Sequence, residues 1–158
     1  MTPAIDAVRR AKITHRVHAY MHDPASESYG LEAVEKLGLP ADRVFKTLVV
    51  GTDTRELIVG VLPVACMLSL KRLAKVAGVK KAAMAEPSDV QRVTGYVLGG
   101  VSPLGQKKRL KTIIDASAKA FPSIYFSAGR RGLQIEMDPH DLQKITGGIF
   151  AEIVQRLT

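Results

Sequence analysis

The chain has 158 residues, a hydrophobic fraction of 46% and a single cysteine. This length fits one ordinary domain, and the longest apolar stretches are too short to span a membrane. The lone cysteine excludes an intramolecular disulfide and indicates a reducing, cytoplasmic compartment. The formal net charge of +8 favours an anionic partner such as nucleic acid or a phosphorylated ligand, although it also fits a basic protein without such a partner.

Helix signals occur from the first residues onward. Thr2 and Pro3 predict a helix that ends near Lys12, because threonine caps a helix and proline is tolerated in its first turn. A short helix over residues 31–37 is expected to end at Gly38. The same capping and periodicity signals predict helices over residues 69–77, 87–93, 139–145 and 149–157.

Strand signals lie between these helices. In residues 16–21, Val17, Ala19 and Met21 alternate with polar side chains, which predicts a strand that buries its apolar face. Residues 45–51 and 56–62 flank a polar turn and predict a hairpin. Further strands are predicted over residues 110–115, 123–127 and 133–137. Because the elements interleave without a regular βαβ repeat, we expect one α+β domain over residues 1–158 with a mixed sheet.

Lys46 stands near the start of an otherwise apolar predicted strand. A lysine there either extends along its aliphatic stem to solvent or points into a cavity. In a cavity, its ammonium group would attract a phosphate or stabilise a developing oxyanion. The segment alone leaves both interpretations open.

Two glycine-containing connections are candidates for ligand contact. Residues 99–105 combine glycines with serine and proline, so their backbone amides can approach a ligand, or they form a purely structural turn. A basic run follows this segment, and two arginines lie between the strands predicted over 123–127 and 133–137. These cations would contact an RNA backbone or face solvent. They are Lys107, Lys108, Arg109, Arg130 and Arg131.

The usual catalytic signatures are missing. There is no Gly-x-Ser-x-Gly sequence and no cluster with metal-ligand spacing, so we expect neither a metal ion nor a cofactor. His18 and His22 have helical spacing but fall in a predicted strand and turn. Cys66 lies among apolar residues, which favours a buried structural thiol. An enzyme with this sequence would therefore lack an evident nucleophile.

Together these segments resemble the YbaK/EbsC family, and within it the bacterial YbaK-type Cys-tRNA(Pro) deacylases. The order and spacing of the motifs are more specific than any one of them. The distinctive segments are His22-Asp23-Pro24, Phe45-Lys46-Thr47-Leu48, Thr94-Gly95-Tyr96, residues 99–109 and residues 129–133. The sequence departs from the family pattern at Ala128, where glycine is expected, and at Gln134, where some members have an acidic residue.

The resemblance implies a mixed, curled, barrel-like sheet flanked by helices, related to the editing insertion of bacterial prolyl-tRNA synthetases. It implies an enzyme that removes cysteine from mischarged Cys-tRNA(Pro), with Cys-tRNA(Cys) as a further candidate substrate, and it makes Lys46 the key residue. The substrate-binding positions, or positions beside them, are Tyr20, Thr47, Gly100, Val101, Ser102, Ser127 and Gly129. The implied partners are the charged end of tRNA and prolyl-tRNA synthetase, not DNA or a membrane.

The family also implies a reaction that needs no protein nucleophile. The cysteinyl thiol, with an ordinary pKa of about 8.5, would attack its own ester and form a cyclic thiolactone, while the protein orients it and stabilises charge. Attack by a positioned water is the alternative. The first route is formally lyase-like and the second is hydrolytic. The rival classes are a non-catalytic tRNA- or synthetase-binding module of the same fold and a small-molecule phosphate binder.

Overall fold

The computed structural model describes residues 1–26 and 28–155 of the chain. Within these ranges it contains five α-helices and eight β-strands. The helices are α1 (Pro3–Arg10), α2 (Tyr29–Leu37), α3 (Leu70–Ala77), α4 (Pro87–Thr94) and α5 (Pro139–Thr146). The strands are β1 (Arg16–Ala19), β2 (Phe45–Thr52), β3 (Leu57–Pro63), β4 (Ala82–Met84), β5 (Lys111–Asp115), β6 (Ile124–Ser127), β7 (Leu133–Met137) and β8 (Ile149–Ala151).

Local signals position these five helices. The Thr2 hydroxyl accepts a hydrogen bond from the Ile5 N–H at 3.2 Å, as expected of an N-terminal cap. Gly38 ends α2 in the left-handed conformation, with φ of 64°. α2 begins at Tyr29, two residues earlier than predicted, so that its first turn includes an aromatic residue. No helix in the described part of the chain is long and apolar enough to cross a membrane.

The strands form two sheets. A five-stranded sheet has the order β4-β2-β3-β5-β8, in which β2 pairs antiparallel with β3 and β4, and β5 pairs parallel with β3 and β8. A three-stranded antiparallel sheet has the order β1-β7-β6. An isolated bridge between Val44 and Tyr125 joins the two sheets at one corner. The predicted α+β class and mixed sheet are confirmed, although the sheets do not close into a barrel.

The main core lies between the sheets and the helices that cover them. Ile5 and Val8 of α1 pack there with Phe45 and Phe126, all almost completely buried. Burial of each such side chain contributes about 1.5–3 kcal/mol of hydrophobic stabilisation. A second cluster lies beneath α3, around Leu73, on the other face of the five-stranded sheet. The β2–β3 hairpin contributes to both clusters, so it is held from both faces.

The sequence prediction for the C-terminal part of the chain is wrong. Residues 149–151 form strand β8 beside β5, where a helix over 149–157 was expected. Ile153 is fully buried, and its N–H donates to Asp115 at 3.0 Å, so the chain continues in an extended form. Open pairing groups along β5 therefore outweigh the weak helical periodicity of this segment. Residues 156–158 lie outside the described residues. Elsewhere in the chain, no sequence pattern predicts β4, a three-residue edge strand.

The faces of β1 are the reverse of those predicted. Val17 and Ala19 are exposed, whereas His18 and Tyr20 are half-buried. His18 lies 2.9 Å from the Glu136 carboxylate, and its ring lies 5.4 Å from that of Tyr125. β1 is an edge strand, and its polar side chains find polar and aromatic partners on β7 and β6. Partner chemistry therefore outweighs the alternation of hydrophobicity.

Candidate active site

A cavity of about 270 Å³ opens where β2 begins, between the start of α2, the 97–101 segment and the β6–β7 connection. Most of the expected site positions lie on its wall, namely Tyr20, Lys46, Thr47, Val101, Ser127, Arg130 and Arg131. Sequence reasoning missed the contributions of α2 and of the residues just before the glycine segment. The remaining lining residues are Ser28, Tyr29, Gly30, Phe45, Leu48, Val64, Leu98, Gly99 and Gln134.

Lys46 points into this cavity, so it is not a lysine extended to bulk solvent. Its Nζ donates a hydrogen bond to the Val64 carbonyl oxygen at 3.3 Å. Burial lowers the pKa of Lys46 because it disfavours the charged ammonium, while the nearby Cys66 acts in the opposite direction. No carboxylate of the described residues forms an ion pair with Lys46. The site therefore holds a partly desolvated cation whose protein partner is a neutral carbonyl.

Two polar atoms on the cavity wall have no hydrogen-bond partner among the described residues. They are Thr47 Oγ1 and Gln134 Oε1. Gln134 is only 6% exposed, and it lies on strand β7 between the buried Leu133 and Ile135. A buried polar atom without a partner costs about 1–3 kcal/mol. Both atoms lie on the cavity wall that includes Lys46, where a polar ligand would supply the missing hydrogen bonds. For Gln134, the available signal in the sequence was a polar residue between buried apolar ones.

Close packing brings α2 to the cavity. A Cβ added to Gly30 would lie 2.4 Å from a methyl carbon of Val64, so only glycine lets the helix approach this closely. The approach places Tyr29 against the cavity. Tyr20 reaches the same region, with its hydroxyl 3.5 Å from the Tyr29 carbonyl oxygen, and burial raises the pKa of Tyr20. The Tyr29-Gly30 pair was the signal in the sequence for this wall.

Glu32 fixes the other side of α2. This carboxylate is 5% exposed; His22 Nδ1 lies 2.6 Å from one oxygen, and the Asp23 N–H and Lys36 Nζ lie 2.8 and 3.3 Å from the other. Burial alone would raise the pKa of Glu32, but the hydrogen bonds from His22, Asp23 and Lys36 outweigh it and lower that pKa to about 2. We call these four residues the Glu32 junction, because they tie the 21–23 segment to α2.

The glycine segment divides into lining and supporting residues. Gly99 and Val101 line the cavity, whereas Gly100 does not; a Cβ on Gly100 would lie 3.0 Å from the Arg130 Cα. Ser102 is fully buried, and its hydroxyl accepts from the Leu104 N–H at 3.3 Å. Gly129 also lies off the wall, with its N–H donating to the Ser127 hydroxyl at 3.1 Å. These three positions shape the loops that form the wall.

The five cations expected to contact RNA fall into separate places. Arg130 and Arg131 line the cavity. Lys108 and Arg109 line a different depression, together with Arg55, Arg92 and Lys111. Since Arg55 lies in the turn at the far end of the β2–β3 hairpin, this surface is roughly 20 Å from Lys46 along the strand. The Lys107 N–H donates to the Thr94 carbonyl at the end of α4.

The chemistry available in the cavity is that of cations, hydroxyls and amides. Its described lining contains Lys46, Arg130 and Arg131 but no carboxylate and no histidine. The hydroxyls of Ser28, Thr47 and Ser127 therefore have no neighbouring side-chain base that could activate them. Cys66, expected to be buried, is only partly so and is not on the wall. The arrangement suits binding and charge stabilisation of an anionic substrate that brings its own nucleophile or uses water.

Comparisons with known proteins identify the family of the chain. A family model described as "Aminoacyl-tRNA editing domain" matches residues 23–145. The chain is 36% identical over 156 residues, covering 98% of it and 94% of the relative, to EbsC of Enterococcus faecalis, which is provisionally named a Cys-tRNA(Pro)/Cys-tRNA(Cys) deacylase. It is 28% identical over 115 residues to YwhH of Bacillus subtilis, covering 73% of each chain.

Solved structures share the fold. One, described as a trans-editing enzyme candidate for prolyl-tRNA synthetase, superposes with a TM-score of 0.82 at 22% identity and 99% coverage of both chains. Another, described as hypothetical protein APE2540, gives a TM-score of 0.85 at 23% identity, covering 98% of this chain and 100% of the other.

An α+β fold with a cationic cavity, unpartnered polar atoms and no side-chain base on the described wall defines a ligand-binding domain suited to an anionic substrate. The chain belongs to the aminoacyl-tRNA editing domain family. The resemblance deduced from the motifs is thereby confirmed.

Proposed function

We propose that this chain is a trans-editing deacylase that removes cysteine from mischarged Cys-tRNA(Pro), with Cys-tRNA(Cys) as a second candidate substrate. Family membership supports an aminoacyl-tRNA substrate, and the name of the EbsC relative supports cysteine as the amino acid. The cavity volume of about 270 Å³ is just below the range of roughly 300–1,000 Å³ typical of small-molecule sites. It suits one small amino acid and part of the terminal ribose.

The observation that carries this proposal is the environment of Lys46. Its ammonium is partly desolvated, its protein partner is the neutral Val64 carbonyl, and it faces a cavity without carboxylates among the described lining residues. Such a cation stabilises negative charge more strongly than an exposed one, because little reorganisation is needed when charge develops. It would act on the carbonyl oxygen of the ester or on the terminal phosphate.

The reaction we propose uses the substrate's own sulfur. The thiol loses its proton and the thiolate attacks the ester carbonyl carbon, so that a carbon–sulfur bond forms. The carbon–oxygen ester bond then breaks, the ribose oxygen takes up a proton, and a cyclic thiolactone is released for later hydrolysis by water. The lining residues orient the reacting groups. An editing pocket separate from the synthetase's own site is needed, because a site shaped for proline discriminates against cysteine by only about 1–3 kcal/mol per missing group.

We propose further that the chain works with prolyl-tRNA synthetase, which would supply the mischarged tRNA. The experiment is a deacylation assay on Cys-tRNA(Pro) and on Ser-tRNA of the same acceptor sequence, each with and without the synthetase. Serine is nearly isosteric with cysteine, but its hydroxyl is much less acidic than a thiol. We expect the two esters to bind with similar affinity and the cysteine ester to react much faster.

Each result of this assay has a defined reading. Equal turnover of both esters would replace the thiol mechanism with attack by water. Binding without turnover of either ester would make the chain a non-catalytic tRNA-binding module. A Cys66→Ser variant is the matched control, because the protein's own thiol has no part in the proposed reaction and its loss should leave the rate unchanged.

A further inference from the structure

Arg131 differs from the other two cations of the cavity, Lys46 and Arg130, because its guanidinium packs on an aromatic ring. Its Cζ lies 4.1 Å from the centroid of the Tyr29 ring, and its Nη2 donates to the Leu98 carbonyl oxygen at 2.7 Å. The guanidinium is therefore supported on one face by an aromatic ring and fixed at its edge by a hydrogen bond. Arg131 and the neighbouring Arg130 are both exposed, but Arg130 has no such contact with a ring in the described part of the chain.

Gly99 makes this arrangement possible. It adopts a φ of +85°, and an added Cβ would lie 2.3 Å from two ring carbons of Tyr29 and 2.8 Å from Arg131 Nε. The ring and the guanidinium thus pack against bare backbone. All three residues line the cavity, and the exposed apolar side chains of Val97 and Leu98 flank them.

We propose that the outer face of the Arg131 guanidinium, backed by Tyr29, is the platform on which the unpaired terminal base of an RNA 3′ end stacks. The inference rests on the proposed function, since it assigns the place of the nucleotide that carries the ester. Guanidinium planes and aromatic rings are the groups on which proteins stack splayed RNA bases. A phosphate contact needs only positive charge, whereas this arginine is flat, immobilised and flanked by apolar surface, which suits a base.

Position supports the same occupant. Arg131 lies on the rim of the cavity that holds Lys46, so a terminal nucleotide stacked there would have its ribose directed toward the ester site. The cations Lys46, Arg130 and Arg131 and the absence of carboxylates from the described lining complement the negative backbone of that nucleotide. Specific RNA recognition targets single-stranded ends because their bases can be unstacked and held in this way.

The test uses an uncharged tetranucleotide, ACC followed by 2-aminopurine, whose fluorescence is quenched on stacking, and the same RNA with an abasic 3′ end. For the wild type we expect quenching on binding and a dissociation constant about 10-fold lower than that of the abasic RNA, as one base stack provides. Arg131→Lys keeps the charge but loses the plane, so it should bind both RNAs equally and give no quenching. Tyr29→Leu should weaken quenching, and Tyr29→Phe should retain it.

Arg130→Lys is the matched comparison, because it changes an adjacent arginine without a supporting ring and should retain quenching. Unchanged melting temperatures would show that the variants fold. The proposal is overturned if the wild type binds neither RNA, if the abasic RNA binds as tightly as the other, or if Arg131→Lys quenches like the wild type. Because the probe carries no ester, failure to deacylate Cys-tRNA would refute the proposed function without altering these outcomes.

Discussion

Two charges on neighbouring elements are treated in opposite ways by this fold. Glu32, in the Glu32 junction, receives hydrogen bonds from three groups, and these lower the pKa of its carboxyl to about 2 despite burial. Lys46, in the cavity, has a neutral carbonyl as its protein partner, and burial lowers the pKa of its ammonium. The surroundings of Glu32 stabilise its charged carboxylate, whereas the surroundings of Lys46 destabilise its charged ammonium.

The contrast separates a structural charge from a functional one. The partners of Glu32 come from two segments of the chain, so its ionisation holds the 21–23 segment against α2. Lys46 has no ion-pair partner among the described residues and donates to the neutral Val64 carbonyl, and the unpartnered oxygens of Thr47 and Gln134 lie on the same cavity wall. A fold gains no stability from leaving polar groups without partners. The cavity is therefore the region arranged for a ligand, and the Glu32 junction is the region that keeps one of its walls in place.

The largest effect should come from Lys46→Met. Loss of one preorganised charge-stabilising donor should lower the deacylation rate on the order of 10²–10³-fold. Stability should not fall, because methionine removes a partly desolvated cation and keeps the aliphatic stem. Single-turnover deacylation of Cys-tRNA(Pro) and denaturant unfolding measure the two quantities. Lys71→Met, on the exposed face of α3, is the control and should match the wild type in both. A wild-type rate in Lys46→Met would refute the assignment.

Glu32→Gln should have the opposite effect to Lys46→Met: it should lower stability and leave the deacylation rate nearly unchanged. Replacing the carboxylate weakens three hydrogen bonds at a buried site, so we expect a loss of about 1–3 kcal/mol in the free energy of unfolding. The rate per folded molecule should change far less than in Lys46→Met. Glu35→Gln, on the same helix but exposed, is the matched control and should change neither quantity measurably.

The pH dependence of stability sharpens this second prediction. The ordinary carboxyl pKa is 4.5, and that of folded Glu32 is about 2. Above pH 4.5 both states are ionised and the contribution of Glu32 to stability is fully present. As pH falls toward 2, the unfolded chain takes up the proton first, so this contribution is progressively lost. Urea unfolding between pH 5 and 2.5 should therefore show a shallower decline in Glu32→Gln. Parallel curves for the variant and the wild type would contradict the assigned pKa shift.

Local signals explain how much of this could be predicted from the sequence. The caps at Thr2 and Ser69, the glycine at position 38 and the β2–β3 hairpin depend on a few adjacent residues, and the structure confirms them. The cavity position of Lys46 was one of two interpretations that its segment left open. The structure decides between them. β3 pairs with β2 and ends at Pro63, so the next residue, Val64, lies close enough to accept a hydrogen bond from Lys46 within the cavity.

The rest depends on contacts between distant segments. Tyr29 and Arg131 are about a hundred positions apart in the chain, and neither segment alone predicts that one supports the other. Ser102 belongs to the same short motif as Gly99, yet its side chain turns into the core. Residues 149–151 form a strand because β5 offers an open edge, which the periodicity of that segment does not encode. Such outcomes are set by pairing and packing after the elements have formed.

The smallest predicted effect concerns Thr47. Its Oγ1 is buried without a partner among the described residues, so Thr47→Val removes a polar atom that costs stability while nearly keeping the shape of the side chain. The free energy of unfolding should rise by up to about 1 kcal/mol. If the hydroxyl bonds the substrate, KM should rise about 2- to 10-fold with kcat little changed, as loss of one neutral hydrogen bond implies. Thr54→Val, in the exposed hairpin turn, should raise neither quantity. Loss of stability in Thr47→Val with an unchanged KM would mean that this hydroxyl supports the fold. Thr47 would then be a structural residue, as Glu32 is, and not a functional residue like Lys46.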